Sequence, residues 1–358
     1  MKKENKQTPD SALDEALQQS IQGSRHARKF ITRFVEALLK VRTSNLAKIA
    51  QAVQSEAEAD SVYRQIQRFL KNENRVSIDY LKLLELKGKL KVIIDRTEWK
   101  FGSCWVNILS VSVAYKQVAI PVLATVINKK GNLPAAEVVA LLKYFVAAFG
   151  AERIERIYAD REFGTFELFA FLLKEEIDFH IRLKSSHKSA GRSFRQMWKD
   201  VSERVKLRGK VPIEVFGLEV YVSGIKYQKK GKTEYLIVAS GEANKYAIEE
   251  YKTRWQIETM FGCLKSRGFN FEETHLTQPE KISKLLLLLG LGICLAMLMG
   301  EFQVEVLKKV EMKIKKNRRY AKSLFRIGLD ALQNLLFNHQ KQRKHRQLQL
   351  FIHLLSCA

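Results

Sequence analysis

The apolar positions of this chain change period several times. Between 12 and 72 they recur every three or four residues: FITRFVEALL has helical spacing, and SNLAKIAQAV starts behind a capping Ser44 or Asn45. A third helix, SVYRQIQRFL, is capped by Asp60 or Ser61, with Val62, Ile66 and Phe69 facing inward and Arg64, Gln65 and Arg68 facing out beside Lys71. From Gly88 the period shortens. KLKVIID reads as a buried strand ending at Asp95, and VNILSVSVAY (106–115) and QVAIPVLATVI (117–127) read as two more, joined by a hairpin-length link. PAAEVVALLKYFVAAFG then reads as a helix, with Pro134 in its first turn and Gly150 at its stop. A strand to Asp160, a helix in FGTFELFAFLLKEE and a strand in DFHIRLK (178–184) follow.

Three antiparallel strands, a helix, a strand, a helix and a strand is the element order of a ribonuclease-H-like core. The expected fold is therefore α/β: such a catalytic core over 88–184 and 246–300, interrupted by a β-rich insertion over 185–245. A helical DNA-binding domain over 1–87 and a basic helical C-terminal region over 301–358 complete it. The insertion is expected because residues 211–240 alternate like strands around QKKGK. Its aromatics Trp198, Tyr221 and Tyr227 are expected to pack in a small sheet, and Trp99 and Trp255 in a core. The apolar run 285–300 holds three glycines and falls short of the roughly 20 residues of a bilayer span, so it is read as a buried helix.

Charge narrows the partners. The 62 Lys and Arg stand against 38 Asp and Glu, a formal +24 spread along 358 residues, which points to a polyanion, with nucleic acid foremost and no membrane. Residues 301–358 alone hold 13 basic against four acidic residues, suited to pairing two subunits or to nonspecific DNA contact. The three N-terminal helices end in a basic, amide-bearing one, as in helix-turn-helix readers, which makes Arg64 and Arg68 candidate DNA contacts. The four cysteines are far apart and fit neither a zinc site nor a disulfide framework. The polar start, MKKENKQTPD, has no apolar export core, so the expected location is the cytoplasm, at the nucleoid.

Candidate chemistry rests on three carboxylates. In the expected sheet Asp95 and Asp160 end neighbouring strands and meet at its carboxyl edge, where α/β sheets place their ligands. A third comes from YKTRWQIETMFGCLK (251–265). On one α-helix Tyr251, Arg254, Glu258 and Lys265 share an arc of about 60°, opposite Ile257, Met260 and Leu264. Three crowded carboxylates make sense as a cage for Mg²⁺, with Mn²⁺ as a substitute, and two such ions suit in-line displacement at a phosphodiester. Beside Glu258, Arg254 is suited to grip a phosphate as a fork and Lys265 as a point charge.

The motifs DRTEW (95–99), YADREF (158–163) and Y-x2-R-x3-E-x6-K (251–265) resemble the DDE transposases of bacterial insertion sequences, in the group with a Tyr-Arg-Glu-Lys signature. The resemblance spans about 88–300. It implies a cut-and-paste enzyme with Asp95, Asp160 and Glu258 as catalytic metal ligands, and Tyr251, Arg254 and Lys265 on the transposon end. The implied partners are double-stranded DNA, as terminal inverted repeats and target, and a second copy of the chain on that DNA. Two other readings share the carboxylates: a ribonuclease-H-like nuclease or resolvase without strand transfer, and a catalytically silent DNA-binding derivative.

Overall fold

A computed structural model describes residues 9–71, 76–203, 206–310, 312–314, 321–338 and 340–357. The polar start over 1–8, the basic run over 315–320 and the side chain of Cys357 lie outside the described residues. The chain divides into two units, one of 88–98 and 107–259, the other of 1–87, 99–106 and 260–358.

The first unit is a mixed sheet with helices. Its strands, of which residues 99–106 at the β1–β2 turn belong to the other unit, are β1 (Leu90–Phe101), β2 (Cys104–Tyr115), β3 (Val118–Ile127), β4 (Ile154–Ala159), β5 (Phe179–Arg182), β6 (Leu218–Lys229) and β7 (Lys232–Ser240). They lie in the order β6-β7-β5-β4-β1-β2-β3. β1 and β4 run parallel, as do β4 and β5, while β2 and β3 are antiparallel. Val92, Ile93 and Ile94 are fully buried, as the continuous apolar run of a parallel central strand demands. Helix α1 (Ala135–Phe149) makes the crossover from β3 to β4, starting at Pro134 and stopping at Gly150, whose φ of 83° favours glycine. Thr165 caps α2 (Phe166–Lys174), which crosses from β4 to β5. This order, with β1, β4 and β5 parallel, is consistent with the expected ribonuclease-H-like core.

Two expectations shift. β1 does not end at Asp95 but continues to Phe101, because beyond the register with β4 it remains paired in a ribbon with β2. Apart from a two-stranded pairing of 188–189 with 192–193, the insertion's long strands form no separate sheet. β7 pairs antiparallel with β5, Val238 opposite Arg182, so β7 and β6 extend the central sheet through the free edge of β5. Lys230 and Gly231, both with positive φ, turn the β6–β7 hairpin within QKKGK. Trp198 is buried beside Phe194 and lies over Gly224, where any Cβ would collide with its ring. Tyr227 is half-buried and donates to Glu234.

The second unit is largely helical. Helix Arg25–Val41 is capped by Ser24 and helix Leu46–Ala52 by Asn45, settling that cap in favour of Asn45. Helix Ala59–Lys71 starts before the expected cap, with Asp60 inside its first turn. Val62, Ile66 and Leu70 are its buried face; Phe69 is half-buried and stacks on Phe30 at 4.4 Å. Helix Pro279–Glu301 is longer than the expected apolar run, and the segment to Val306 has the length and hydropathy to cross a membrane. Its apolar window is 78% buried within the protein, as in a core helix. Gly300 and Gly328 let it touch helix Leu324–Phe337 backbone to backbone: a Cβ at Gly328 would meet the Ala296 carbonyl at 1.7 Å. Trp99 is buried in this unit, 5.1 Å from the Phe271 ring.

Candidate active site

The site lies where the parallel register of β1 and β4 runs out. Ile94 is opposite Ala159, so the next residues, Asp95 and Asp160, stand side by side, Asp160 just past the end of β4 and Asp95 where β1 leaves that register. In the β4–β5 register Ala159 is opposite Ile181, which puts Arg182 next in line, its Nη1 3.7 Å from Asp160 Oδ1.

The segment carrying the third carboxylate is not one α-helix. Tyr251–Arg254 is a 3₁₀ turn, and α3 (Trp255–Leu264) follows it, so Lys265 is one residue past the helix end. The expected stripe on a single α-helix is therefore corrected. With three residues per 3₁₀ turn, Tyr251 and Arg254 eclipse one another, and both are buried. Ile257, Met260 and Leu264 are buried as expected, whereas Trp255, expected in a core, is 56% exposed.

Burial turns Tyr251 and Arg254 toward the carboxylates. The Tyr251 hydroxyl donates to the Ala159 carbonyl at 3.3 Å and to Asp160 Oδ1 at 3.4 Å. Arg254 Nη1 donates to Asp95 Oδ2 at 2.9 Å, while Nη2 donates to Glu258 Oε1. Its Nε is buried with no hydrogen-bond partner. One guanidinium thus bridges the first and third carboxylates. Burial pushes the Asp95 carboxyl up to about 7 against the opposing pull of Arg254 and of the Arg96 backbone N–H; Glu162 and Asp160 add to the rise. Burial alone would lower the Arg254 pKa, but Tyr251, Asp95, Asp160 and Glu258 hold it above the usual value.

Lys265, in the helical unit, pairs with Glu272 at 2.7 Å and sits 5.5 Å from the centre of the Trp99 ring. Arg64 and Arg68 are exposed on helix Ala59–Lys71, in that same unit.

Two supporting residues escaped the sequence reading although they flank the motif carboxylates. Arg96 Nε donates to Glu162 at 2.8 Å, Nη1 to Glu98 at 3.0 Å and Nη2 to Asn132 at 3.1 Å. Glu98 also accepts from the Gly131 N–H. This cross-brace ties β1, the loop after β3 and the 3₁₀ turn after Asp160 into one frame. The signal was the placement of Arg96 and Glu162 inside DRTEW and YADREF.

The donor set suits a hard divalent cation: carboxylate oxygens, one of them desolvated. Among the described residues, however, no three metal-binding side chains converge closely enough to hold an ion. Arg254 takes the cation's part between Asp95 and Glu258.

No curated protein gives a match to the chain. Residues 87–297, more than half of it, match the family described as Transposase DDE domain. That span holds Asp95 and Asp160, the bridging arginine and Glu258, and the chain belongs to the DDE transposase family.

Proposed function

We propose that this transposase cuts DNA at the ends of its element and joins them to target DNA, with Asp95, Asp160 and Glu258 as the catalytic metal ligands. The observation that carries the reading is the placement of Asp95 beside Asp160, each one residue past the Ile94–Ala159 pair of the β1–β4 register, with Glu258 tied to Asp95 through Arg254. When bound, two Mg²⁺ ions, or Mn²⁺ in their place, would activate the attacking oxygen and stabilise the leaving one. The chain's own residues do the positioning. Tyr251 orients the Asp160 carboxylate through its hydroxyl. Arg254, once its carboxylates have another cation, presents two N–H groups that fit a phosphate as a fork. Lys265 is a point charge whose present partner, Glu272, is half exposed and can exchange for a phosphate. Arg64 and Arg68 face solvent on helix Ala59–Lys71, as reading a terminal repeat requires. Two copies on DNA would bring two ends together.

Duplexes carrying the sequences that flank the reading frame, incubated with Mg²⁺, test this. Asp95→Ala, Asp160→Ala and Glu258→Ala should each lose cleavage by at least about a hundredfold while still binding the ends. Near-normal cleavage by any of them removes that residue from the set. A strand-transfer assay with a pre-cut end tests the joining step; cleavage without joining would mark a nuclease or resolvase.

A further inference from the structure

The segment that carries the third carboxylate starts with little internal support. Helix Ala247–Glu250 has four residues and passes straight into the 3₁₀ turn Tyr251–Arg254. Single turns of this kind do not hold their own shape in water, so tertiary contacts must fix where the segment sits and which way it runs. Ala247, Ile248 and Tyr251 pack with Val238 of β7, but apolar contact has no direction of its own. Direction comes from two polar ties that adjacent residues make to one strand. Tyr251 reaches the end of β4, at Ala159 and Asp160. Glu250 reaches Arg156, four residues before Asp160, whose Nη1 donates to Glu250 Oε2. Four residues of strand span about 13 Å, and two anchors that far apart fix a direction where one would leave a pivot.

The groups around this tie are themselves held. Arg156 has 14% of its side chain exposed, and its Nε donates to Asp178 at 2.5 Å. Asp178 in turn accepts from the Phe179 N–H at 2.8 Å and the Glu242 N–H at 3.1 Å. Glu250 Oε2 also accepts from Asn244 Nδ2 at 3.0 Å, with His180 Nε2 3.3 Å away. The contacts of Asp95, Asp160 and Glu258 come from other groups: the Arg96 N–H, Tyr251, Arg182 and Arg254. Desolvation offsets much of the attraction in a buried ion pair, so net stability is not its evident contribution. We propose that Arg156 and Glu250 are positioning residues, whose bond registers the segment against β4 and so aims Arg254 and Glu258 at Asp95 and Asp160. Arg254 cannot do this alone, because its bonds run to two proposed metal ligands and are exchangeable. The bond from Arg156 to Glu250 involves neither ligand. The proposal rests on the transposase reading for the reaction that the segment serves.

Glu250→Ala removes the tie yet leaves Arg156 its bond to Asp178, so the buried guanidinium keeps a partner. Glu250→Gln keeps a carbonyl oxygen able to accept from Arg156 and Asn244. Amide hydrogen exchange of the full chain, without metal or DNA, reads the segment directly. In Glu250→Ala, peptides within 251–259 should exchange about tenfold faster than in the parent, with α1 of the same unit unchanged. Glu250→Gln should follow the parent. Unchanged exchange in 251–259 overturns the proposal, and so does an equal rise in α1, which would mark a general loss of stability. With Mg²⁺ and end duplexes, Glu250→Ala should bind as the parent does and cut at least about tenfold more slowly, since a misplacement of about 1 Å can cost roughly a hundredfold. Undiminished cutting overturns the positioning role. The two readings fail separately. A parent that cuts no DNA sinks the transposase reading, while exchange still decides whether Arg156 ties the segment down. A parent that cuts, beside a Glu250→Ala variant with parental exchange and rate, keeps the transposase reading and removes the tie.

Discussion

Arg254 Nη1 lies 2.9 Å from Asp95 Oδ2, and the same guanidinium reaches Glu258 four residues along its own segment. A buried cation holding two carboxylates competes with any ion those carboxylates would bind. Arg254→Gln should therefore bind Mn²⁺ more tightly than the parent, by about tenfold or 1.4 kcal/mol, even as DNA cleavage falls. Mn²⁺ titration followed by electron paramagnetic resonance, without DNA, reads this directly. Weaker Mn²⁺ binding in the variant would mean that Arg254 organises the carboxylates for the ion instead of competing with it.

The exposed face of helix Ala59–Lys71 makes a separate demand. Arg64→Ala with Arg68→Ala should remove the preference of the full chain for its terminal sequence over random duplex, at about 1–3 kcal/mol per lost base contact. Neither side chain packs in the core, so the melting temperature should hold. Equal losses on both DNAs in a competition assay would reduce these arginines to phosphate contacts.

The Arg96 brace predicts a stability effect. Arg96→Met removes the bonds to Glu162, Glu98 and Asn132 and leaves partly buried carboxylates without their cation. The cost should be about 1–3 kcal/mol in urea unfolding, and Glu162→Gln should give part of the same loss. A change in the Arg96 variant within about 0.5 kcal/mol, the usual range for surface substitutions, would show that solvent holds these groups equally well.

His180 gives the protein an acid-side weakness. Its ring is fully buried, with Nδ1 2.8 Å from the Phe179 carbonyl oxygen and 2.9 Å from the Ser240 hydroxyl. Burial first, then Arg156, lower its pKa against the opposing pull of Asp178 and Glu250. A depressed folded-state pKa means that the unfolded chain takes up the proton more readily. Stability is thus full above the ordinary histidine value near 6.5 and declines as pH falls through it, by at most about 1.4 kcal/mol per pH unit. Thermal melts between neutral and mildly acidic pH should show this slope, flattened in His180→Gln. Identical slopes in both proteins would place the acid sensitivity elsewhere.

Much of the architecture was legible in the chain because it rests on local pattern. Apolar runs of strand length, broken by helical stretches that open at Pro134 or Thr165 and stop at Gly150, determined the order of strands and helices in the sheet unit. Asp95 and Asp160 were placed together because parallel neighbours in such a sheet align their carboxyl ends, a constraint that needs no side-chain detail. Only the folded protein decided what these groups touch. Helical spacing put Tyr251, Arg254, Glu258 and Lys265 on one stripe, but a 3₁₀ turn, whose residues recur every three positions, directs the first two into the protein. Arg254 is drawn there by Asp95, a partner 159 residues away in sequence. β7 pairs with β5 and so sets the β6–β7 hairpin beside Asp160 to make a basic cleft, although alternation alone could not say which edge the hairpin would find. Secondary structure follows near neighbours in the chain, whereas ion pairs, strand edges and cavities depend on distant segments brought together by folding.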